Sequence, residues 1–208
     1  MQAERGLFIT LEGGEGAGKS TAAAGLAGLL RSEGREVLLT REPGGTKGAE
    51  AIRALILNQE IPLAPLAQTM LHFAARVDHV AHAIRPALAR GAIVICDRFY
   101  DSTMAYQAYG QGVALADIRA LIALVGLKPD ITFLLELPET EAKRRLTARA
   151  SGTDRYEEMD AAFFTRVREG FRAMAAAEPA RFIQIDASPA PEQVVASLRQ
   201  AVQDKAGR

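Results

Sequence analysis

The stretch Leu11–Thr21, LEGGEGAGKST, carries the residue types and spacing needed to hold a polyphosphate. Gly13, four further residues, Gly18, Lys19 and Ser20 have the spacing of a phosphate-binding loop, whose backbone N–H groups converge on anionic oxygens. Gly13, Gly14, Gly16 and Gly18, with the small Ala17, let the backbone approach phosphates closely. Lys19 is expected to reach the β- and γ-phosphates of ATP and Ser20 to ligate Mg²⁺, with Thr21 closing the contact at a helix N-terminus. Glu15 breaks the pattern: a carboxylate stands in the middle of a nest for anions. Its N–H can serve the phosphates only if its side chain turns toward something else.

A second pair, Asp97 and Arg98, ends a later apolar run. A hydrolase places a water-orienting side chain near the γ-phosphate. A cation beside a strand-end carboxylate instead suits clamping a second phosphate as acceptor. The guanine-reading pattern Asn-Lys-x-Asp is absent. A phosphotransferase therefore fits better than a GTPase switch or an ATPase motor.

The elements that must position these residues are legible. Five short apolar runs read as buried strands, at 7–12, 36–40, 92–97, 130–137 and 181–186. Alanine-rich segments with helical spacing lie between them, at 19–32, 47–58, 66–89, 115–125, 139–149, 159–177 and 190–204. This alternation predicts an α/β fold, a five-stranded parallel sheet with helices on both faces. The basic, glycine-containing break RASGTDR predicts a lid at about 149–157 within one domain spanning 1–208.

The 25 Lys and Arg balance 25 Asp and Glu, which argues against nucleic acid or a membrane surface as partner. A single cysteine, Cys96, excludes an intrachain disulfide framework and reads as a small core residue. Without a signal-peptide core or an apolar run of about 18–20 residues, a cytoplasmic protein is expected. His72, His79 and His82 share one predicted helix and read as packed or solvated residues.

Together EGGEGAGKST, TREPGGT (40–46), HFAAR (72–76), DRFYDSTMAYQ (97–107) and TDRYEE (153–158) resemble the thymidylate kinase family. The variety resembled has an acidic residue in the loop and arginines in the lid. The resemblance implies a P-loop kinase fold, transfer of the ATP γ-phosphoryl group to dTMP with Mg²⁺, and a homodimer. Arg98 is implied to hold the acceptor phosphate, with Arg53 as a further phosphate contact. Ser102 and Gln107 are implied beside the base, Tyr106 against the deoxyribose, and Glu42 and Pro43 as the closing segment. Glu15 is implied to orient the acceptor through its 3′-hydroxyl. Asp97, then Glu42, join Ser20 as metal candidates. Arg149 is implied to stack on adenine, Arg155 to stand near the transferring phosphate, and residues 186–188 to lie beside the adenine.

Phe73 and Arg76, three apart on a helix, share a face. A ring there can stack on a pyrimidine, and an arginine, which only donates, suits the O4 of thymine or uracil over the amino group of cytosine. The ordinary alternative is a core phenylalanine and a solvated charge. Many members carry arginine where this chain has Gln111. Two rivals stay open: a kinase for another nucleoside monophosphate, and a P-loop ATPase acting on a partner.

Overall fold

The computed structural model describes residues 6–149 and 161–206. Five parallel strands lie in the order β2-β3-β1-β4-β5. They are β1 (Phe8–Glu12), β2 (Val37–Arg41), β3 (Ile93–Asp97), β4 (Ile131–Glu136) and β5 (Phe182–Asp186). All the expected strands form, and β1, the strand before the phosphate loop, is central. Its register pairs Leu11 with Asp97 on β3 and with Phe133 on β4. The ends of β1 and β3 therefore lie side by side, and the segments leaving them open onto one crevice. In open parallel sheets ligands bind at such carboxyl ends.

Strand alternation feeds two cores. Ile9, Leu11, Ile95 and Phe133 pack under α1 (Lys19–Ser32) and α9 (Pro191–Ala206). Phe8, Val94 and Cys96 face the other side, with Phe73, Val80 and Ile84. That opposite layer comprises α2 (Lys47–Leu57), α3 (Pro65–His79), α4 (Arg85–Ala89) and α6 (Leu115–Val125). Leu134 and Phe182 pack with α8 (Ala161–Ala177), and α7 (Glu139–Arg149) runs toward the expected lid. Burial of these apolar strand residues, at about 25 cal/mol per Å², is the main stabilising contribution.

Two segments differ from the sequence expectation. The single helix expected over 66–89 is interrupted by a π-helical turn, Val80–Ile84, before α4. Pro86 lacks an N–H and its ring crowds the preceding turn, which a local widening of the helix relieves. The motif after Arg98, given no element from the sequence, is a short helix α5 (Tyr100–Thr103) running into a π-helix, Met104–Gly110. It is too short to show a period. The expected lid, apart from the backbone of Arg149, lies outside the described residues, and so does Arg155.

Candidate active site

The phosphate loop bridges β1 and α1. Gly13 has φ 135°, and a Cβ there would stand 2.4 Å from the carbonyl of Leu135 on β4. Gly18 caps α1 in the left-handed region, at φ 81°. Lys19 is buried and donates to the Gly14 carbonyl at 2.7 Å, folding its ammonium back over the loop. Burial, helped by Arg98, pushes that ammonium down to about 8, against the pull of Glu15, Asp97 and Glu12. Ser20 Oγ donates to Asp97 Oδ2 at 2.5 Å, while Asp97 Oδ1 is buried without a hydrogen-bond partner. A hydroxyl beside a carboxylate with an unused oxygen suits a hard, oxygen-seeking cation, and Mg²⁺ fits this pair. Among the described residues no group of three His, Cys, Asp or Glu side chains could hold a metal, so phosphates and water would complete its shell.

Glu15 turns away from the loop, as its charge requires. Its Oε1 accepts from Arg98 Nη2 at 2.5 Å and from the Tyr106 hydroxyl at 2.9 Å. Burial would raise its pKa, but Arg98, Lys19 and the Tyr106 hydroxyl outweigh that and hold it at about 2. Arg98 has φ 68°, in the left-handed region where a non-glycine residue is strained. That turn brings its guanidinium back over Tyr106, 5.2 Å from the ring centroid, and within 3.3 Å of the Gly13 carbonyl. Tyr106 in turn packs edge-on to Phe163 and Phe171 of α8.

Beneath Arg98 lies Glu12, which sequence reasoning missed. It is fully buried and accepts from the Phe99 N–H at 2.7 Å and from Ser102 Oγ at 2.5 Å. Burial and the nearby Asp101 push its carboxyl up to about 8, against Ser102, Arg98 and the Phe99 N–H. Ser102 also accepts from Arg98 Nη1 at 3.0 Å, so its hydroxyl joins Glu12 to Arg98. The available signal was a carboxylate ending an otherwise apolar strand.

Phe73, Arg76 and Glu42, expected on the acceptor side, lie packed together. Phe73 is 3% exposed and belongs to the core of Phe8, Val94 and Phe99. Its face is taken by Arg76, whose guanidinium carbon is 4.7 Å from the ring centroid. The neighbouring His72 instead has a buried Nε2 with no hydrogen-bond partner. Burial, then Arg76, Arg53 and Arg98, hold His72 down at about 3, so the ring is neutral. Glu42 faces Arg76 and His79, with one carboxylate oxygen on each. Both of its oxygens are thus occupied within the chain, while its backbone N–H donates to the Asp97 carbonyl at 3.0 Å. Arg53 donates to the Pro43 carbonyl at 2.7 Å, joining α2 to the turn after β2. Gln107 is buried. Gln111 donates to Gln68 at 3.4 Å, and its own Oε1 is buried without a partner.

A cleft of about 560 Å³ opens between the phosphate loop, α7 and the segment after β5. Ala187 and Ser188 line it. So do Arg144 and Arg145, not singled out within the basic run of α7. Arg145 is held by Glu141 at 2.9 Å and reaches the Ser188 carbonyl at 3.4 Å. Arg149 ends α7, and its side chain lies outside the described residues.

A family model described as thymidylate kinase matches residues 11–198. A thymidylate kinase of Gluconobacter oxydans is 54% identical over 206 residues, covering 97% of this chain and 96% of that protein. One from Chromohalobacter salexigens is 52% identical over 197 residues, or 93% of each chain. The crystal structure of thymidylate kinase from Ehrlichia chaffeensis is similar at a TM-score of 0.79 and 35% identity, covering 96% of this chain and 100% of that one. Similarity this extensive, over a parallel sheet that brings the loop, Asp97 and Arg98 to one crevice, has one consequence: the chain belongs to the thymidylate kinase family.

Proposed function

We propose that this nucleoside monophosphate kinase transfers the γ-phosphoryl group of ATP to dTMP, giving ADP and dTDP. The observation that carries the reading is the junction of Lys19, Glu15 and Arg98, where a phosphate loop meets an acidic group and a clamping cation. An oxygen of the acceptor phosphate attacks the γ-phosphorus in line as the bridging oxygen of ADP leaves. The attacking oxygen is already ionised, so no general base is needed. Catalysis is then positioning plus charge neutralisation. Lys19 stands by the leaving side, Arg98 holds the acceptor phosphate, and Arg155 in the lid completes the cationic shell. Ser20 and Asp97 would hold Mg²⁺, which would supply further neutralisation of phosphate charge.

Glu15 has Oε1 committed to Arg98 and Tyr106, which leaves Oε2 for the 3′-hydroxyl. Arg53 and the Glu42–Pro43 segment close over the acceptor, with Gln107 and Ser102 on the base side. Because Phe73 is taken into the core, we assign the ring facing the base to His72. Arg149 and residues 186–188 take the adenine, with Arg144 and Arg145 along the cleft.

The single-domain organisation over 1–208 with a lid at about 149–157, a cytoplasmic location and a homodimer belong to the same proposal. No helix among the described residues is long and apolar enough to cross a membrane. Leu66, Met70 and Val77 form an exposed apolar stripe along α3, suited to a second copy of the chain.

The test is ADP formation with dTMP, dUMP, dCMP and AMP as acceptors, for the native chain and for His72→Ala. dTMP should be preferred, and His72→Ala should raise the dTMP KM by about tenfold while sparing ATP. Preference for dCMP or AMP, or turnover without an acceptor, would reject the reading.

A further inference from the structure

Four polar side chains join the end of β2 to α3. Thr40 Oγ1 lies 2.7 Å from His79 Nε2, and His79 Nδ1 lies 3.0 Å from Glu42 Oε1. Glu42 Oε2 then accepts from Arg76 Nε at 2.6 Å. With Nδ1–H donating to the carboxylate and Nε2 accepting the threonine hydroxyl, a neutral imidazole satisfies both neighbours. His79 is completely buried, and Glu42 and Arg76 nearly so. The turn after β2 packs directly on this ring: a Cβ on Gly45 would stand 2.4 Å from His79 Nε2 and 2.6 Å from Thr40 Oγ1.

Arg76 is constrained on its remaining sides. Its Nη2 donates to Thr103 Oγ1 at 3.1 Å, and its guanidinium lies 4.7 Å from the Phe73 ring and 5.2 Å from the Phe99 ring. One donor is left over: Nη1 is buried and has no hydrogen-bond partner. A buried ion pair adds little net stability, because desolvation offsets its Coulomb attraction. A buried donor left unpaired costs about 1–3 kcal/mol. Stability therefore gives no reason for this arrangement. An arginine with Nε and Nη2 clamped and Nη1 free is instead a donor fixed in advance for an incoming acceptor.

We propose that His79 is a positioning residue: with Thr40 and Glu42 it holds the Arg76 guanidinium so that Nη1 is the fixed donor to a carbonyl oxygen of the acceptor's base. The inference rests on dTMP being the acceptor and names what enforces the choice of base. Arginine has donors only, so a guanidinium that cannot rotate away favours the O4 of thymine and disfavours the amino group of cytosine. His79 acts through Glu42 and touches no substrate itself.

The test compares the native chain with His79→Leu, His79→Asn and Thr40→Val, reading kcat, KM for dTMP, dCMP and ATP, dTMP Kd by calorimetry, and Tm. His79→Leu should raise dTMP KM and Kd by about tenfold and narrow the preference for dTMP over dCMP, with ATP KM within about twofold. His79→Asn places an amide N–H near the former Nδ1 and should recover most of the loss. Thr40→Val removes only the far end of the chain and should raise dTMP KM by about two- to fourfold.

A His79→Leu variant with lowered Tm and unchanged dTMP affinity, or with an equal rise in ATP KM, would overturn the positioning role. If the leucine variant does not fold, Thr40→Val with unaltered dTMP affinity overturns it equally. A native chain inactive toward dTMP would refute the proposed function instead, which separates the two failures.

Discussion

Glu15 resolves its apparent conflict with the anion site by leaving it. Backbone N–H groups and side chain point in different directions, so one residue can serve ATP through its peptide and the acceptor through its carboxylate. Its pairing with Arg98 and Tyr106 turns its carboxylate toward the side where we propose the acceptor binds. Glu15→Ala should lower kcat/KM for dTMP by about ten- to a hundredfold, because it removes charge-assisted hydrogen bonds and leaves Arg98 without its partner. Glu15→Gln keeps the shape and should cost less. Steady-state kinetics with each substrate varied checks this: ATP KM should change by no more than about twofold. Unaltered dTMP kinetics in both variants would remove Glu15 from the acceptor site.

Among the elements, α3 has three faces with three jobs. Phe73 points into the core, while His72 and Arg76, one turn apart, present unpartnered polar atoms. Leu66, Met70 and Val77 are between 43% and 56% exposed, more than an ordinary core-facing stripe allows. If a second copy covers that stripe, Met70→Glu introduces a charge into an apolar contact and should shift the chain toward monomer. Sedimentation velocity reads this directly, and an unchanged sedimentation coefficient would exclude α3 as the contact. The adjacency of Phe73 and His72 also explains why the sequence offered the phenylalanine and not the histidine as a ring for the acceptor side. A rotation of 100° per residue sends neighbours to different surroundings, and an aromatic is the better core candidate of the two.

For the molecule as a whole, Glu12 ties the sheet's stability to pH. Its folded-state pKa of about 8 lies above the ordinary 4.5. Between those values the unfolded chain has released the proton that the folded chain keeps, so this group lowers stability as pH rises from about 4.5 to about 8. Glu12→Gln cannot ionise and should gain in Tm relative to the native chain across that window. Thermal melts at pH 5, 6.5 and 8 check it, and a Tm difference that does not grow with pH would contradict the raised pKa.

The strand–helix alternation, the loop between β1 and α1 and the strand-end Asp97–Arg98 pair were all legible in the sequence, because each rests on local spacing. Periodicity reports which face is apolar, and glycine spacing reports where a backbone can curl. The order of the strands, the Thr40–His79–Glu42–Arg76 chain, and the burial of Phe73 beside an unpartnered His72 Nε2 were not. They join residues up to 39 positions apart, as Thr40 and His79 are, and only packing brings such residues together. By itself the sequence determined that this protein grips a polyphosphate and carries an acidic side chain out of that grip. The tertiary structure alone decided what the acidic side chain meets and which donor stays free, because hydrogen-bond partners are settled by distance in space.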